Sequence, residues 1–277
     1  MWGTIPIALK LLIARFLDVE SLTNLVVSDP DFVRYMKEEE REDVTRKTCI
    51  NSLGYMNCIQ VDIILKRYRG DREIVLAAVK NHGWALRYAL GELRGDREVV
   101  LAAVRQDGMA LQFALGLRDD KEIVLTAVGK DGWALRYASR ELCEDREVVL
   151  AAVRQNENSL QFALGELRGD PEVILAALRQ NGMALRYASD ELRGDQDIVL
   201  AAVRQNGYAL QYSSPELRED REVVLAAVKN NGCAIDWVSN ELREDREIVL
   251  TAVRQNGEAL VYASRELRVQ LAEEYGY

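Results

Sequence analysis

The chain of 277 residues is 48% apolar and carries a net charge of −9 at pH 7, with acidic and basic residues interleaved. This balance argues against a nucleic-acid partner, because nucleic-acid binding proteins present clustered cations to the phosphates. One histidine and four cysteines without a Cys-x-x-Cys spacing supply no plausible set of metal ligands. We therefore expect no metal, no cofactor and reduced thiols, which is typical of an intracellular, cytoplasmic protein.

Residues 1–45 are predicted to form a helical module of their own. Apolar residues recur from Ile5 to Leu17, but Lys10 and Arg15 interrupt them and the stretch is too short to cross a bilayer. No small-residue cleavage site follows. We therefore expect an amphipathic helix and no membrane association.

The same segment has a proline-led helix, a Phe-Leu-Asp stop, a Ser-Leu helix and a Val-Ser-Asp-x-x-Phe segment. In this order it resembles the F-box, a short helical module, and it departs from that family at Ala8, where an acidic residue is common. The resemblance implies that four residues help to dock the Skp adaptor of a cullin ubiquitin ligase, namely Pro6, Leu9, Ile13 and Leu17. The alternative is that the module only covers the first apolar end of the array that follows.

Residues 46–70 have about the length of one later repeat and end in Arg69-Gly70-Asp71, like the linkers between repeats. They lack the aspartate and the glycine that mark those repeats, so we interpret them as a degenerate adapter repeat. Residues 269–277 are predicted to extend the last helix as a C-terminal cap.

Eight copies of one unit occupy residues 71–268. The copies, numbered here as repeats 1 to 8, open at Asp71, Asp96, Asp120, Asp145, Asp170, Asp195, Asp220 and Asp245, and successive copies are 25 residues apart, apart from one spacing of 24. A fixed period in this range predicts a stacked array in which no unit buries its apolar face alone. We predict an all-α solenoid of eight helical hairpins.

The unit that opens at Asp96 shows how one hairpin is expected to form. The aspartate is a good N-cap for a helix over residues 97–107, whose six consecutive apolar residues predict enclosure by neighbouring helices. Gly108 is expected to end that helix with a positive φ angle. A second α-helix is predicted from about Met109 to Leu117, with its alanine and leucine residues on the buried face.

Four irregularities interrupt the pattern. Glu157 replaces the turn glycine in repeat 4, where we expect a rearranged turn, and repeat 2 lacks one residue at Gly116-Leu117, which a tighter turn should absorb. Pro171 is expected at the first helical position of repeat 5, where proline is tolerated. Pro215 is predicted to interrupt the last turn of a short helix.

Three positions of the unit vary while their surroundings repeat: the residue after the turn glycine, the residue three places later and the residue four places after that. The first two carry the candidate binding residues. We call these two positions the variable row and predict that they bind a protein or an extended peptide through Trp84, Arg87, Met109, Gln112, Trp133, Arg136, Met183, Arg186, Tyr208 and Gln211. Asp236 and Glu258 predict a more acidic surface toward the C-terminus. The alternative is free drift of exposed positions, with duplication of a two-repeat block explaining the alternation of arginine and glutamine.

Two further recurring charges are expected to have structural roles. Arginines near the end of the first helix, such as Arg105 and Arg154, complement the helix dipole. Glutamates such as Glu92 and Glu141 are placed near helix C-termini, where each is expected to pair with a basic group of an adjacent repeat.

The repeat resembles the domain-of-unknown-function 4116 family, known from protists, microalgae and large DNA viruses, in its Asp-Arg-Glu-Val-Val-Leu-Ala-Ala-Val and Ala-Leu-x-Tyr-Ala segments. That resemblance implies no established activity. No catalytic group recurs, so we expect a non-catalytic binding scaffold, with the F-box resemblance suggesting the substrate receptor of a ubiquitin ligase. The alternative function is a structural protein whose repeats mediate self-association.

Overall fold

A computed structural model of the chain describes residues 46–47, 49–50, 53–55 and 58–275. These residues are helical and contain no strand, as the repeat predicts. They fall into two compact units, one ending at Lys130 and one beginning at Asp131. The first unit opens with a 3-10 turn, Leu53–Tyr55, and an α-helix, Cys58–Tyr68.

Each repeat opens with an α-helix that the preceding aspartate caps. In repeat 2 the Asp96 carboxylate accepts hydrogen bonds from the N–H groups of Glu98 and Val99, at 3.0 and 3.1 Å. The other seven aspartates also accept from N–H groups of the first turn, so the predicted caps are confirmed. The helices are Arg72–Asn81, Arg97–Gln106, Lys121–Lys130, Arg146–Gln155, Pro171–Leu178, Gln196–Gln205, Arg221–Asn230 and Arg246–Gln255.

The core is built from the apolar run of these helices. In repeat 2, Val99, Val100, Ala103 and Val104 are fully buried, whereas Leu101 is partly exposed. This helix contacts the α-helices of repeats 1 and 3 and the second elements of repeats 1 and 2. The predicted enclosure by neighbouring repeats is therefore confirmed for repeat 2, whose core is completed by residues of repeats 1 and 3.

The second element of each repeat is a six-residue 3-10 helix, so the predicted α-helix over Met109–Leu117 is wrong. In repeat 2 the 3-10 helix ends before Ala114, which is extended, and the N–H of Leu115 donates to the carbonyl of Arg94 in repeat 1 at 2.9 Å. That bond to a neighbouring repeat replaces a continued helical bond. The 3-10 helices are Gly83–Tyr88, Gly108–Phe113, Gly132–Tyr137, Glu157–Phe162, Gly182–Tyr187, Gly207–Tyr212, Gly232–Trp237 and Gly257–Tyr262.

A third helix follows in seven of the eight repeats, and in all of these but repeat 8 it is shorter than the first two. It is a one-turn α-helix at Gly91–Arg94, Arg140–Cys143 and Asp190–Arg193, a 3-10 helix at Gly165–Gly169, Glu216–Arg218 and Leu242–Glu244, and in repeat 8 the α-helix Arg265–Tyr275, which continues beyond the repeat. Glu92 and Glu141 lie in the first turn of these helices, so their predicted place near a helix C-terminus is wrong. At an N-terminus the helix dipole favours a carboxylate.

The turn glycines are required by packing, and their predicted positive φ angle is wrong. Among the described residues only Gly116 and Gly165 have positive φ. A Cβ atom on Gly182 would lie 2.2 Å from the carbonyl oxygen of Ala202 in the next repeat, and one on Gly83 would lie 2.5 Å from that of Ala103. Glycine is therefore needed because the backbones of adjacent repeats approach closely.

Glu157 replaces the turn glycine of repeat 4, but the rearrangement expected there is found in repeat 5. Residues Glu157–Phe162 keep the 3-10 helix, whereas the α-helix of repeat 5 ends at Leu178, after eight residues instead of ten. The freed Gln180 side chain donates to the carbonyl of Val153 at 2.6 Å. The larger side chain is thus accommodated by shortening the neighbouring helix.

The remaining irregularities are resolved locally. The residue missing from repeat 2 is absorbed by a turn in which Gly116 has a φ of 67°, and no third helix forms there. Pro171 occupies the first helical position, as predicted. Pro215 precedes the short helix Glu216–Arg218, so its predicted place in a last helical turn is wrong.

Candidate partner-binding surface

The variable row lies on the 3-10 helices and is divided between the two units. Trp84, Arg87, Met109 and Gln112 belong to the first unit, and Trp133, Arg136, Met183, Arg186, Tyr208 and Gln211 belong to the second. The three arginines and Tyr208 are exposed, and the other six residues are partly buried. The alanine and leucine of each 3-10 helix are mostly buried, so the row is the outward side of these helices.

The arginines of the row stack on the tyrosine that follows them. The guanidinium carbon lies 4.6 Å from the ring centroid for Arg87 on Tyr88, and 4.5 Å for Arg186 on Tyr187. Arg136 makes the same contact with the ring after it, at 5.1 Å. These are cation–π contacts, in which the negative ring face attracts the guanidinium.

The glutamines of the row behave differently. Gln112 donates from Nε2 to the carbonyl of Met109 at 3.0 Å, and Gln211 donates in the same way to Tyr208 at 3.0 Å. Each therefore satisfies a carbonyl of its own 3-10 helix. The alternation of arginine and glutamine along the row thus corresponds to two different local contacts.

The tryptophans contribute to packing as well as to the surface. Trp84 lies 5.7 Å from the ring of His82 and packs edge-on at 6.1 Å against Tyr88, measured between centroids. Trp133 packs edge-on at 5.6 Å against Phe162 of repeat 4. Removing either indole would therefore cost packing as well as surface.

Along the opening helices runs a set of ion pairs between repeats that sequence analysis did not identify. The arginine at the first helical position of one repeat binds the cap aspartate and the glutamate two places later in the next, as Arg72 does with Asp96 at 2.8 Å and Glu98 at 2.5 Å. We call these pairs the arginine ladder. Its other members are Arg46 with Asp71 and Glu73, Arg97 with Asp120 and Glu122, Arg146 with Asp170 and Glu172, and Arg221 with Asp245 and Glu247.

The arginine ladder lowers the pKa of the aspartates that cap the opening helices. The Arg72 guanidinium hydrogen-bonded to Asp96 holds the pKa of that carboxyl below its ordinary value, and Arg146 does the same for the pKa of Asp170. In repeats 5 and 6 the first helical position holds Pro171 and Gln196 instead of arginine. The ladder is therefore interrupted between repeats 5 and 6 and between repeats 6 and 7. The signal was present in the sequence, because opposite charges recur at fixed places of the unit.

Two further sets of contacts also escaped sequence analysis. The side chain of Gln106 accepts from the N–H of Gly83 in the preceding repeat at 2.6 Å, and Asn230 accepts from Gly207 at 2.7 Å. The arginine of the Glu-Leu-Arg segment binds carbonyls at the end of a 3-10 helix, as Arg218 does at 2.8 and 3.0 Å. Recurring polar residues thus mainly satisfy backbone groups.

Five cations at the C-terminal ends of the opening helices in the second unit are exposed and make no ion pair within the described part of the chain: Arg154, Arg179, Arg204, Lys229 and Arg254. An open cleft of about 770 Å³ lies between two of these helices and is lined by Arg204, Arg221 and Lys229.

The remaining predictions concern the F-box-like residues, a metal site and a membrane-spanning helix. The F-box-like residues Pro6, Leu9, Ile13 and Leu17 lie outside the described residues. Across the residues that the structure does describe, no three His, Cys, Asp or Glu side chains are grouped to hold a metal, and no helix is long and apolar enough to cross a membrane.

Comparison with known proteins adds one match. The model of the family described as "Domain of unknown function (DUF4116)" matches residues 71–115, 120–168, 170–218 and 220–268. Each match covers two of the repeats defined here, which agrees with a two-repeat block. Comparison with curated proteins and with solved structures gives no match.

Proposed function

We propose that this chain, which belongs to the DUF4116 family, is a non-catalytic scaffold that binds a segment of another protein. One observation carries the proposal. In the 3-10 helices the third and fourth residues, mostly alanine and leucine, are mostly buried, whereas the second and fifth residues are exposed or partly exposed and their chemistry changes from repeat to repeat. Within each unit, a packed frame that presents different side chains at regular intervals suits recognition of an extended partner.

The exposed arginines give the sharpest test, because their removal does not open the core as removal of Trp133 would. Short peptides that bind the full chain would be selected by display, and the affinity of the best one measured for the variants. We expect Arg87→Ala, Arg136→Ala and Arg186→Ala together to weaken binding by about tenfold or more.

The chain supplies a matched control. Arg105, Arg154 and Arg254 are also exposed and unpaired within the described residues, but they lie on the α-helices. Replacing these three by alanine removes the same charge and should leave the affinity unchanged. Equal losses in the two triple variants would contradict the proposal, because they would indicate attraction by net charge alone.

The F-box resemblance supports a narrower proposal, in which residues 1–45 dock a Skp-type adaptor and the repeats bind the substrate of a ubiquitin ligase. Co-expression with such an adaptor tests it. We expect the full chain to co-purify with the adaptor and a variant with Leu9→Asp and Ile13→Asp to lose it. Absence of a complex with the unaltered chain would rule this proposal out without affecting the scaffold function.

One observation favours the alternative of self-association. A Cβ atom on Gly257 of repeat 8 would meet no atom within 4 Å, and Val261 is 63% exposed, so the last 3-10 helix lacks the cover that earlier ones receive. Sedimentation of the full chain over a range of concentrations tests this. A mass that rises with concentration, and that Val261→Asp returns to the monomer, would support self-association.

A further inference from the structure

Repeat 7 departs from the alternation of the variable row at one pair of residues. Repeats 1, 3 and 5 carry arginine followed by tyrosine, and the guanidinium lies 4.5–5.1 Å from the tyrosine ring centroid. Repeats 2 and 4 carry glutamine followed by phenylalanine. In repeat 7, the next odd repeat, the two positions are Asp236 and Trp237. A carboxylate thus replaces the guanidinium, and a larger aromatic ring replaces the phenol.

The Trp237 ring is available to solvent. It is 38% exposed, and no cation within the described part of the chain lies over it. Asp236 is also exposed and makes no ion pair there. Both residues line an open cleft of about 300 Å³ that Pro215, Glu219 and Val238 also border. This volume is at the lower end of ligand pockets.

The charged groups around the cleft are two arginines and two carboxylates, and within the described residues they form no ion pair with one another. Two arginines border it, but both are bound by backbone carbonyls: Arg218 donates to the carbonyls of Gln211 and Ser213, and Arg243 donates to those of Asp236 and Val238. Glu219 is exposed and, like Asp236, has no ion-pair partner in the described residues. Two carboxylates that make no ion pair therefore lie beside an exposed indole.

We propose that Asp236, Trp237 and Glu219 bind an arginine or lysine side chain of a partner protein, which occupies the place that repeats 1, 3 and 5 fill with their own arginine. Tryptophan is the strongest cation–π partner among the aromatic residues, and a carboxylate adds a charge-assisted hydrogen bond. Arginine is favoured over lysine, because its planar guanidinium can stack on the Trp237 ring and at the same time donate hydrogen bonds to the Asp236 carboxylate. This inference rests on the scaffold function, since it specifies one contact of the bound segment.

The test uses the full chain, labelled with ¹⁵N, and two probes: N-acetyl-arginine amide and a hexa-arginine peptide. The indole N–H resonance of Trp237 is assigned by its absence in Trp237→Tyr, a change to the residue that repeats 1, 3, 5, 6 and 8 carry. We expect both probes to shift this resonance to saturation, and N-acetyl-glutamine amide to leave it in place.

A double variant removes the site by restoring the sequence of the other odd repeats. Asp236→Arg with Trp237→Tyr supplies an internal guanidinium, and we expect it to weaken hexa-arginine binding about tenfold while the melting temperature stays within a few degrees. Glu166→Arg, a change of equal charge at an exposed residue of repeat 4, should keep the affinity of the unaltered chain. This control separates the site from general attraction to an acidic protein.

The inference is overturned if the Trp237 resonance does not respond, or if the double variant and Glu166→Arg bind hexa-arginine equally well. In that case a display-selected peptide that still requires Arg136 leaves the scaffold function standing. Conversely, if hexa-arginine binds through Asp236 while no selected peptide depends on Arg87, Arg136 or Arg186, the proposed role of these three arginines fails and the cation site remains.

Discussion

Ser159 shows what a single residue contributes within a repeated frame. Its side chain is fully buried, its hydroxyl has no hydrogen-bond partner, and alanine occupies the same place in the other seven repeats. A buried hydroxyl without a partner costs about 1–3 kcal/mol. We expect Ser159→Ala to raise the free energy of unfolding by about 1 kcal/mol, measured by denaturant unfolding.

Ser213 is the matched control for that change. It is also buried in place of an alanine, but its hydroxyl donates to the carbonyl of Leu210 at 2.8 Å. Ser213→Ala loses this bond and should leave the stability unchanged or lower it. An equal rise in the free energy of unfolding of both variants would mean that burying a hydroxyl is destabilising whether or not it has a hydrogen-bond partner.

The turn glycines allow a second comparison between identical substitutions. Gly182→Ala would place a methyl group 2.2 Å from the carbonyl oxygen of Ala202, so adjacent repeats would have to separate. Overpacking of this kind costs about 1–3 kcal/mol. Gly257→Ala meets no atom within 4 Å and has no positive φ to strain, so it should be neutral or slightly stabilising. Thermal unfolding of the two variants checks this, and a similar loss in both would contradict the packing argument.

At the scale of the element, the arginine ladder makes the contacts between repeats sensitive to pH. Because the pKa of Asp170 is lowered in the folded chain by Arg146, the stabilisation is present above the unfolded pKa of about 3.9 and is lost as the pH falls through the folded value. We expect Arg146→Gln to lower the melting temperature at pH 7 and to have a smaller effect at pH 2. The exposed pair is also expected to weaken at high salt.

Arg154→Gln is the control for the ladder. Arg154 belongs to the same helix and is exposed, but it makes no ion pair within the described part of the chain. Its replacement removes only the attraction to the helix dipole, so it should lower the melting temperature less than Arg146→Gln at pH 7 and by a similar small amount at pH 2. A loss at pH 7 of the same size as for Arg146→Gln would show that helix charge, and not the contact with Asp170, is responsible.

How far the sequence predicts these elements depends on the range of the interaction. The aspartate caps and the buried valines follow from local patterns, so the opening helix of repeat 2 was predicted to within one residue. The 3-10 helices were not predicted. The N–H of Leu115 donates to the carbonyl of Arg94 in another repeat, and local helix propensity gives no information about a bond between repeats. The glycines were located correctly but explained wrongly, since their neighbour Ala202 is distant in sequence.

The same distinction applies to the candidate site. The variable row could be found from the sequence because a repeat supplies its own internal comparison. Whether a row residue is free to bind could not, since stacking of Arg186 on Tyr187 and packing of Trp133 on Phe162 depend on side-chain geometry. For that reason the exposed pair at Asp236 and Trp237 emerged only from comparing the structures of the repeats.

At the scale of the whole molecule, stability in a repeat array is approximately the sum of each unit and its contacts with its neighbours. In the second unit, most departures from the regular repeat sequence lie in the stretch from repeat 4 to repeat 7. Glu157 replaces the turn glycine, Ser159 lacks a partner, the helix of repeat 5 is short, and Pro171 and Gln196 interrupt the ladder. Repeats 7 and 8 have the regular contacts, including the pair between Arg221 and Asp245.

This distribution predicts where the array opens first. We expect backbone amides in the helix Pro171–Leu178 to exchange with deuterium faster than those in Arg221–Asn230, because local opening there breaks fewer contacts between repeats. Hydrogen exchange followed by mass spectrometry checks this. Glu157→Gly combined with Ser159→Ala restores the regular frame and should slow exchange in repeat 5 while leaving repeat 7 unchanged. Faster exchange in repeat 7 than in repeat 5 would mean that proximity to the C-terminal end, and not the regularity of the contacts, determines which repeat opens.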